Sequence, residues 1–157
     1  MLTTMSQNTE LLLEGYEAWN CDDCDAWLRL LHPDVEIHTS GAFPDLSPLY
    51  RGHARAKKFW QQMREPWESF QIEVERLEEV DDCVIGAIRF RATGVDSGVE
   101  VDMRFGSAIR LRDGLATEMV NGRTAEDARD AVCQLPVRDL SSAPSNPQAS
   151  SAVSRSE

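Results

Sequence analysis

The chain has 157 residues, enough for one domain with its own core, and it carries a net charge of −11. That acidity argues against nucleic acid and against an anionic membrane surface as partners. No apolar run approaches the length of a membrane span, and the opening MLTTMSQNTE lacks the basic and apolar regions of a signal peptide, so a cytoplasmic protein is the expectation.

The periodicity predicts a helix over residues 9–20, where Leu12, Tyr16 (or Gly15) and Trp19 recur at helical spacing. Asp23 or Asp25 can cap a short second helix with Ala26, Trp27, Leu30 and Leu31 on its apolar side, and Pro33 stops it. Cys21 and Cys24 form a C-x-x-C in the turn between these helices. A zinc site needs two further ligands at suitable spacing, and the two acidic residues between the thiols disfavour thiolate. They read as thiols of an interhelical turn, and no metal is expected.

Residues 35–40 read as a short strand with Val35, Ile37 and Thr39 on one parity and His38 on the other. Residues 41–52 form a turn-rich stretch that nevertheless carries Phe43, Leu46, Leu49 and Tyr50, which suggests a lid. A third helix follows over residues 53–64, with Ala56, Phe59, Trp60 and Met63 on its inner face, ended by Pro66 before Trp67. Two strands come next. Phe70, Ile72 and Val74 alternate with polar residues, and Val84, Gly86, Ile88 and Phe90 form the inner set of the second.

The longest strand spans residues 99–111 and has one polar residue on its apolar parity, Ser107. After it, Asp113-Gly114 marks a hairpin. A three-residue turn pairing Leu111 with Leu115 is preferred, because the two-residue register places Glu118 opposite Ile109 on the buried face. Thr117, Met119 and Asn121 then share a face with Ile109, Ser107 and Phe105. Arg89, Arg91, Glu100, Asp102 and Arg104 fall on the opposite, wet face, where cross-strand charge pairs explain them, and Arg110 shares that parity. Residues 124–132 form a closing helix capped by Thr124, and residues 136–157, rich in Ser, Pro and Ala, read as a disordered tail after a single domain over residues 1–135.

This order gives an α+β fold: a curved antiparallel sheet wrapped around three N-terminal helices, forming a cone with a cavity. Several strings, taken in order, resemble the SnoaL-like branch of the nuclear-transport-factor-two-like superfamily, which includes ketosteroid isomerases and polyketide cyclases. They are A-W-N and D-x-D-A-W within residues 18–27, H-P-D-V-E at 32–36, F-P-D and Y-R-G-H within 43–53, R-E-P-W at 64–67, L-R-D-G at 111–114 and the closing A-E-D-A. The resemblance implies a small hydrophobic molecule as ligand, a homodimer formed through the sheet, and no cofactor. It also implies proton-transfer chemistry of isomerase, cyclase or hydratase type. The alternative is a non-catalytic dimeric ligand-binding or assembly module, and whether the chain is an enzyme stays open.

Ketosteroid isomerases use a tyrosine donor on the first helix, an aspartate base on the first strand and an aspartic acid donor on a central strand. Aligned on Asn20 and Asp34, these positions fall on Gly15, Thr39 and Ser107, so the isomerase groups are missing. The candidate catalytic residues are His38, a near-neutral base beside the lid, and Tyr16, next to the donor position. The candidate ligand-binding residues are Trp19, Trp27, Thr39, Phe43, Tyr50, Phe59, Trp60, Met63, Trp67, Ile88, Phe90, Phe105, Ser107, Met119 and Asn121, an aromatic wall with a few polar groups. Ser107, in particular, is expected to border a cavity roomy enough to accept a phenylalanine.

Overall fold

The computed structural model describes residues 6–39, 46–138 and 140. Four helices, α1 (Gln7–Asn20), α2 (Cys24–Leu28), α3 (Gly52–Arg64) and α4 (Ala125–Gln134), accompany six strands. The strands are β1 (Leu31–His38), β2 (Leu49–Arg51), β3 (Trp67–Val80), β4 (Cys83–Gly94), β5 (Glu100–Arg112) and β6 (Leu115–Gly122). They form one curved sheet in the order β2-β1-β6-β5-β4-β3, antiparallel except for the parallel β1–β6 pair. The helices are capped as their sequences allow. Ser6, Asp23 and Thr124 accept from the backbone N–H groups of Thr9, Ala26 and Asp127 at 3.1, 3.1 and 3.0 Å. Among the described residues, no helix is long and apolar enough to cross a membrane.

Pro33 does not follow the second helix as its stop. That helix ends at Leu28, and Pro33 lies within β1, inside the register shift between Leu31 and Glu36 where the ladder is already interrupted. The predicted lid contributes a short strand, β2, on the outer edge of β1, and Thr39 and Ser47 bracket the residues that lie outside the described chain. Phe43 is among those residues.

α1, α2 and α3 pack on the concave face of the sheet through an aromatic cluster. Trp19 stacks on Trp60 with ring centroids 4.0 Å apart and on Phe70 at 5.6 Å, and meets Trp27 edge-on at 5.2 Å. Tyr50 and Phe59 approach to 5.2 Å, Phe70 and Phe90 to 5.0 Å. Such pairs contribute about 0.5–1.5 kcal/mol each beyond area burial. Asn20, at the end of α1, closes the free edge of β3: its amide donates to Ile72 O at 2.9 Å and accepts from Ile72 N at 2.7 Å.

α4 does not join the other helices; it covers the convex face. Cys83, Ile85, Ala108 and Val120 of the sheet bury against Ala128 and Val132 in a second core. The approach is close enough to require glycine. A Cβ on Gly106 would lie 1.9 Å from Thr124 O, and one on Gly122 would lie 2.9 Å from Ala128 N.

The β5–β6 hairpin differs from its expected register. Asp113 and Gly114, with φ of 55° and 81°, make a two-residue turn of the type whose twist matches the strands, so Arg112 pairs with Leu115. A bulge between Arg110 and Leu111 then sets Arg110 opposite Glu118 and Ile109 opposite Met119. Met119 and Asn121 still face the cone. Thr117 does not: its hydroxyl donates to Arg110 O at 3.3 Å and to Glu118 Oε1 at 2.7 Å.

The buried carboxylate that the expected register was chosen to avoid is therefore present, and it is paired. Glu118 is 2 % exposed and Arg110 7 %. Arg110 reaches Glu118 Oε1 at 3.5 Å and donates to the carbonyls of Val132 (2.7 Å), Leu135 (3.1 Å) and Pro136 (3.2 Å), closing the C-terminal end of α4. Arg138 donates from Nε to Glu118 Oε2 at 2.6 Å and from its terminal nitrogen to Thr117 O at 2.9 Å. Leu140 is buried too. A tail beginning at residue 136 is thus incorrect for its first residues, because Arg138 neutralises a buried charge. Residues 141–157 lie outside the description.

Ending the chain after Pro136 should remove the shortest contact to Glu118 and cost about 3 kcal/mol, roughly 10 °C in melting temperature. Ending it after Leu140 should cost little. Equal melting temperatures for the two truncations, measured by calorimetry, would show that Arg138 does not support the fold.

Candidate ligand-binding site

Inside the cone, α1, α3 and the sheet enclose a pocket lined by Tyr16, Trp19, Phe59, Met63, Phe70, Ile72, Phe105, Met119 and Asn121. Its volume is about 30 Å³, the share of one water molecule. Seven of the residues expected to bind ligand or act on it therefore share one wall: Tyr16, Trp19, Phe59, Met63, Phe105, Met119 and Asn121. Phe70 and Ile72 complete it; Ile72 could have been added from the strand alternation that already placed Phe70 inward.

Others fall elsewhere. Trp27, Trp60, Ile88 and Phe90 are buried within the core behind the wall, where neighbouring rings and strands fill the space around them. Trp67 meets Phe90 edge-on at 5.6 Å, away from the pocket. The Tyr50 hydroxyl donates to Gln62 and accepts from Ser47 N at 3.1 Å, so its polar end is used by the β2–α3 junction. Thr39 donates to Ser47 O, holding the two ends of the β1–β2 connection together.

The polar groups of the pocket converge on one place. Ser107 is paired across the ladder with Asn121, and its hydroxyl hydrogen-bonds the Tyr16 phenol. Burial pushes the Tyr16 hydroxyl up to about 12, against an ordinary value of 10.0, while the Ser107 bond acts in the other direction. Tyr16 is therefore a neutral hydrogen-bond donor over the whole physiological range. Among the described residues, no carboxylate or imidazole lines this pocket. The expectation of a cavity beside Ser107 that accepts a phenylalanine is not met: Ser107 is buried between Phe105 and Ile109, and the neighbouring space holds about one water.

The histidines lie outside the cone. His32 Nδ1 accepts from Asp34 N at 2.9 Å, and burial lowers its affinity for a proton. His53 bonds Leu31 O at 2.9 Å. His38 faces the convex side, as its parity implies, where Nε2 lies 3.1 Å from Glu36 Oε1. Glu36 is held by Arg51 at 2.9 Å and Arg138 at 3.5 Å. Burial raises its proton affinity, but the bonds from His38, Arg138 and Arg51 together bring its carboxyl below the ordinary range. Farther along the same face, Arg89–Asp102 (2.6 Å), Arg91–Glu73 (3.4 Å) and Arg104–Glu75 (2.9 Å) are the cross-strand pairs expected there. Among the described residues no three metal-ligating side chains come together, and Cys21 and Cys24 are free thiols, both pushed up by their surroundings.

The SnoaL-like domain profile matches residues 12–119, from the first helix to the pocket wall on β6. The chain belongs to the SnoaL-like family. No curated protein matches it in sequence. Among solved structures it is similar to an NTF2-like protein of unknown function from Burkholderia pseudomallei K96243, at 21 % identity and a TM-score of 0.69 over 78 % of this chain and 95 % of that one. It is also similar to TerC co-crystallised with polyporic acid, at 22 % identity and a TM-score of 0.68 over 82 % of this chain and all of that one. A third neighbour, from Jannaschia sp. CCS1, is assigned as a SnoaL-like polyketide cyclase (19 % identity, TM-score 0.66, 86 % and 100 % covered). These likenesses establish the α+β cone for this SnoaL-like chain.

The raised Tyr16 value has a consequence for stability. Unfolding restores an ordinary phenol, so the contribution of Tyr16 is complete below about pH 10 and is lost as pH rises toward about 12. Denaturant melts of wild type and Tyr16→Phe should therefore converge in pH dependence below pH 10 and diverge above it, the wild type falling more steeply. Parallel curves through that window would mean that the phenol is solvated. Ser107→Phe should destabilise by about 1–3 kcal/mol or more, since the ring has nowhere to go.

Proposed function

We propose that this SnoaL-like chain binds a small, apolar, cyclic molecule that presents one acceptor oxygen to Tyr16 and Asn121 in the cone. The observation that carries this reading is the contrast on the pocket wall: seven apolar or aromatic side chains and two polar ones, with Ser107 bonded behind the phenol. Small-molecule sites have this composition, an apolar lining with a few oriented polar groups. The neighbour crystallised with polyporic acid and the one assigned as a polyketide cyclase support a cyclic, oxygen-bearing ligand for the same fold.

Entry requires the wall to move, because the space present is about 30 Å³. Met63 and Met119 are the side chains suited to do so: both are unbranched, with several low-cost rotamers. Chemistry at this wall is electrophilic. Two neutral donors aimed at one oxygen polarise a carbonyl and stabilise negative charge that develops on it, which is how proton transfer of isomerase, cyclase or hydratase type is assisted. The wall supplies no base, so the reading favours binding and polarisation over steroid isomerisation. On the convex face α4 covers part of the sheet, and the area left for a second copy in a homodimer is the Arg89–Asp102, Arg91–Glu73 and Arg104–Glu75 ladder.

The test uses 2-hydroxy-1,4-naphthoquinone and naphthalene as probes, followed through quenching of the Trp19 cluster. The oxygenated probe should bind more tightly. Tyr16→Phe should weaken it by about 2- to 12-fold, the value of one hydrogen bond, while lowering the melting temperature at neutral pH by only a few degrees. Equal affinity for both probes, unchanged by Tyr16→Phe, would remove the donor from the site. Purified protein should show no turnover of Δ5-3-ketosteroids above buffer; clear turnover would mean that a base reaches the pocket.

A further inference from the structure

An open groove of about 780 Å³ lies on the opposite side of the sheet from the cone pocket, between α4 and the ends of β1 and β6. Its size is that of a small-molecule site, and its lining is mixed: His38, Arg123, Asp127, Asp130 and Gln134 stand beside apolar residues of β6 and α4. The feature that distinguishes it from an ordinary surface furrow is the way His38 is held. Its Nε2 lies 3.1 Å from Glu36 Oε1, while the other oxygen of Glu36 takes Arg51 at 2.9 Å and Arg138 at 3.5 Å. A carboxylate oxygen only accepts, so Nε2 carries the hydrogen and donates to Glu36, and Nδ1 is left as the ring's second polar atom. Among the described residues, no hydrogen bond is made by that Nδ1. This arrangement, a buried carboxylate orienting an imidazole at the wall of a cavity, fixes the direction of the ring.

We propose that this groove is a second ligand site, specific for a small organic ammonium whose N–H groups bond His38. Asp127 and Asp130, three residues apart on one face of α4, supply the compensating negative charge, and neither makes an ion pair among the described residues. The proposal is independent of the cone reading, because His38, Asp127 and Asp130 do not line the cone pocket; Asn121 alone borders both.

The experiment follows the ring signals of the three histidines by NMR at neutral pH, titrating full-length protein with putrescine. Tetramethylammonium serves as a cation without N–H donors, and inorganic phosphate as the opposite charge. The expected result is a saturable shift of the His38 signals with putrescine at millimolar concentration, with those of His32 and His53 unmoved. Tetramethylammonium should act at least fivefold more weakly and phosphate not at all. His38→Ala, with its fold checked by thermal melting, should weaken putrescine binding at least fivefold when followed by calorimetry; Asp130→Asn should do the same, and Tyr16→Phe should leave it unchanged. The proposal fails if putrescine shifts all three histidines alike, if phosphate is the ion that saturates, or if His38→Ala binds as wild type does. Should His38→Ala not fold, the NMR titration of the wild type decides by itself: absence of a saturable His38 shift overturns the site.

Discussion

The fold is held together across its sheet by one buried carboxylate. Glu118 sits at the centre of a region where β5, β6, the end of α4 and the segment after it meet, and it is satisfied from three directions by Arg110, Arg138 and Thr117. Each partner also does something else. Arg110 closes the carbonyl end of α4, Arg138 reaches across to Glu36 on β1, and Thr117 occupies the bulge that sets the frame of β6. An isolated charge in this position would be expelled or protonated at a cost of several kcal/mol. Pairing does not by itself make the ensemble more stable than an apolar one of the same shape. It makes the arrangement unique, since no other register of β6 brings Glu118 to Arg110.

That constraint reaches the cone. The bulge that turns Glu118 toward Arg110 is what aligns Asn121 with Ser107 and Met119 with Ile109 on the other face. The polar end of the pocket wall is therefore positioned by an ionic arrangement on the opposite side of the sheet. The aromatic cluster acts from within: Trp19, stacked on Trp60 and Phe70, fixes the end of α1 and so the direction of Tyr16, one turn earlier. Close packing of this kind leaves little void, and the two methionines are the least constrained side chains of the wall.

Much of this was legible in the sequence. Helical spacing in residues 9–20 and alternation in β3, β4 and β5 gave the elements and the inward faces, and parity alone separated the Arg89, Arg91 and Arg104 pairs from the pocket. The convex-face core was missed, though a signal was present. The run Val84-Ile85-Gly86-Ala87-Ile88 is apolar on both parities, as is Ala108-Ile109, which is the pattern of strands covered on both sides. Glycine at both 106 and 122, directly paired, marks where another backbone approaches. The turn was misjudged because burying Glu118 was treated as a cost with no partner. Arg138 lay in a stretch whose Ser- and Pro-rich continuation masked it, and long-range charge pairing leaves no periodicity to read. The cone wall was over-assigned for a related reason: alternation shows that a side chain points inward but not whether it meets a void or another ring.

The family resemblance and the residue chemistry divide the problem between them. The fold supplies a cone with a first helix and a central strand facing one another, and in ketosteroid isomerases that juxtaposition holds a donor pair near a base. Here different residues stand at and beside those positions. Gly15 stands at the tyrosine position, with only Trp27 and Leu30 within reach of a Cβ, while Tyr16, the next residue, carries the phenol to Ser107. Thr39, at the base position, is committed to Ser47 O and offers no proton acceptor of useful strength near neutral pH. The proposed function rests on that difference, hydrogen-bond donors on the described wall with no base beside them. The His38 imidazole, held by Glu36, lies across the sheet from this wall. The cone pocket and the His38 imidazole are thus separated by the sheet itself.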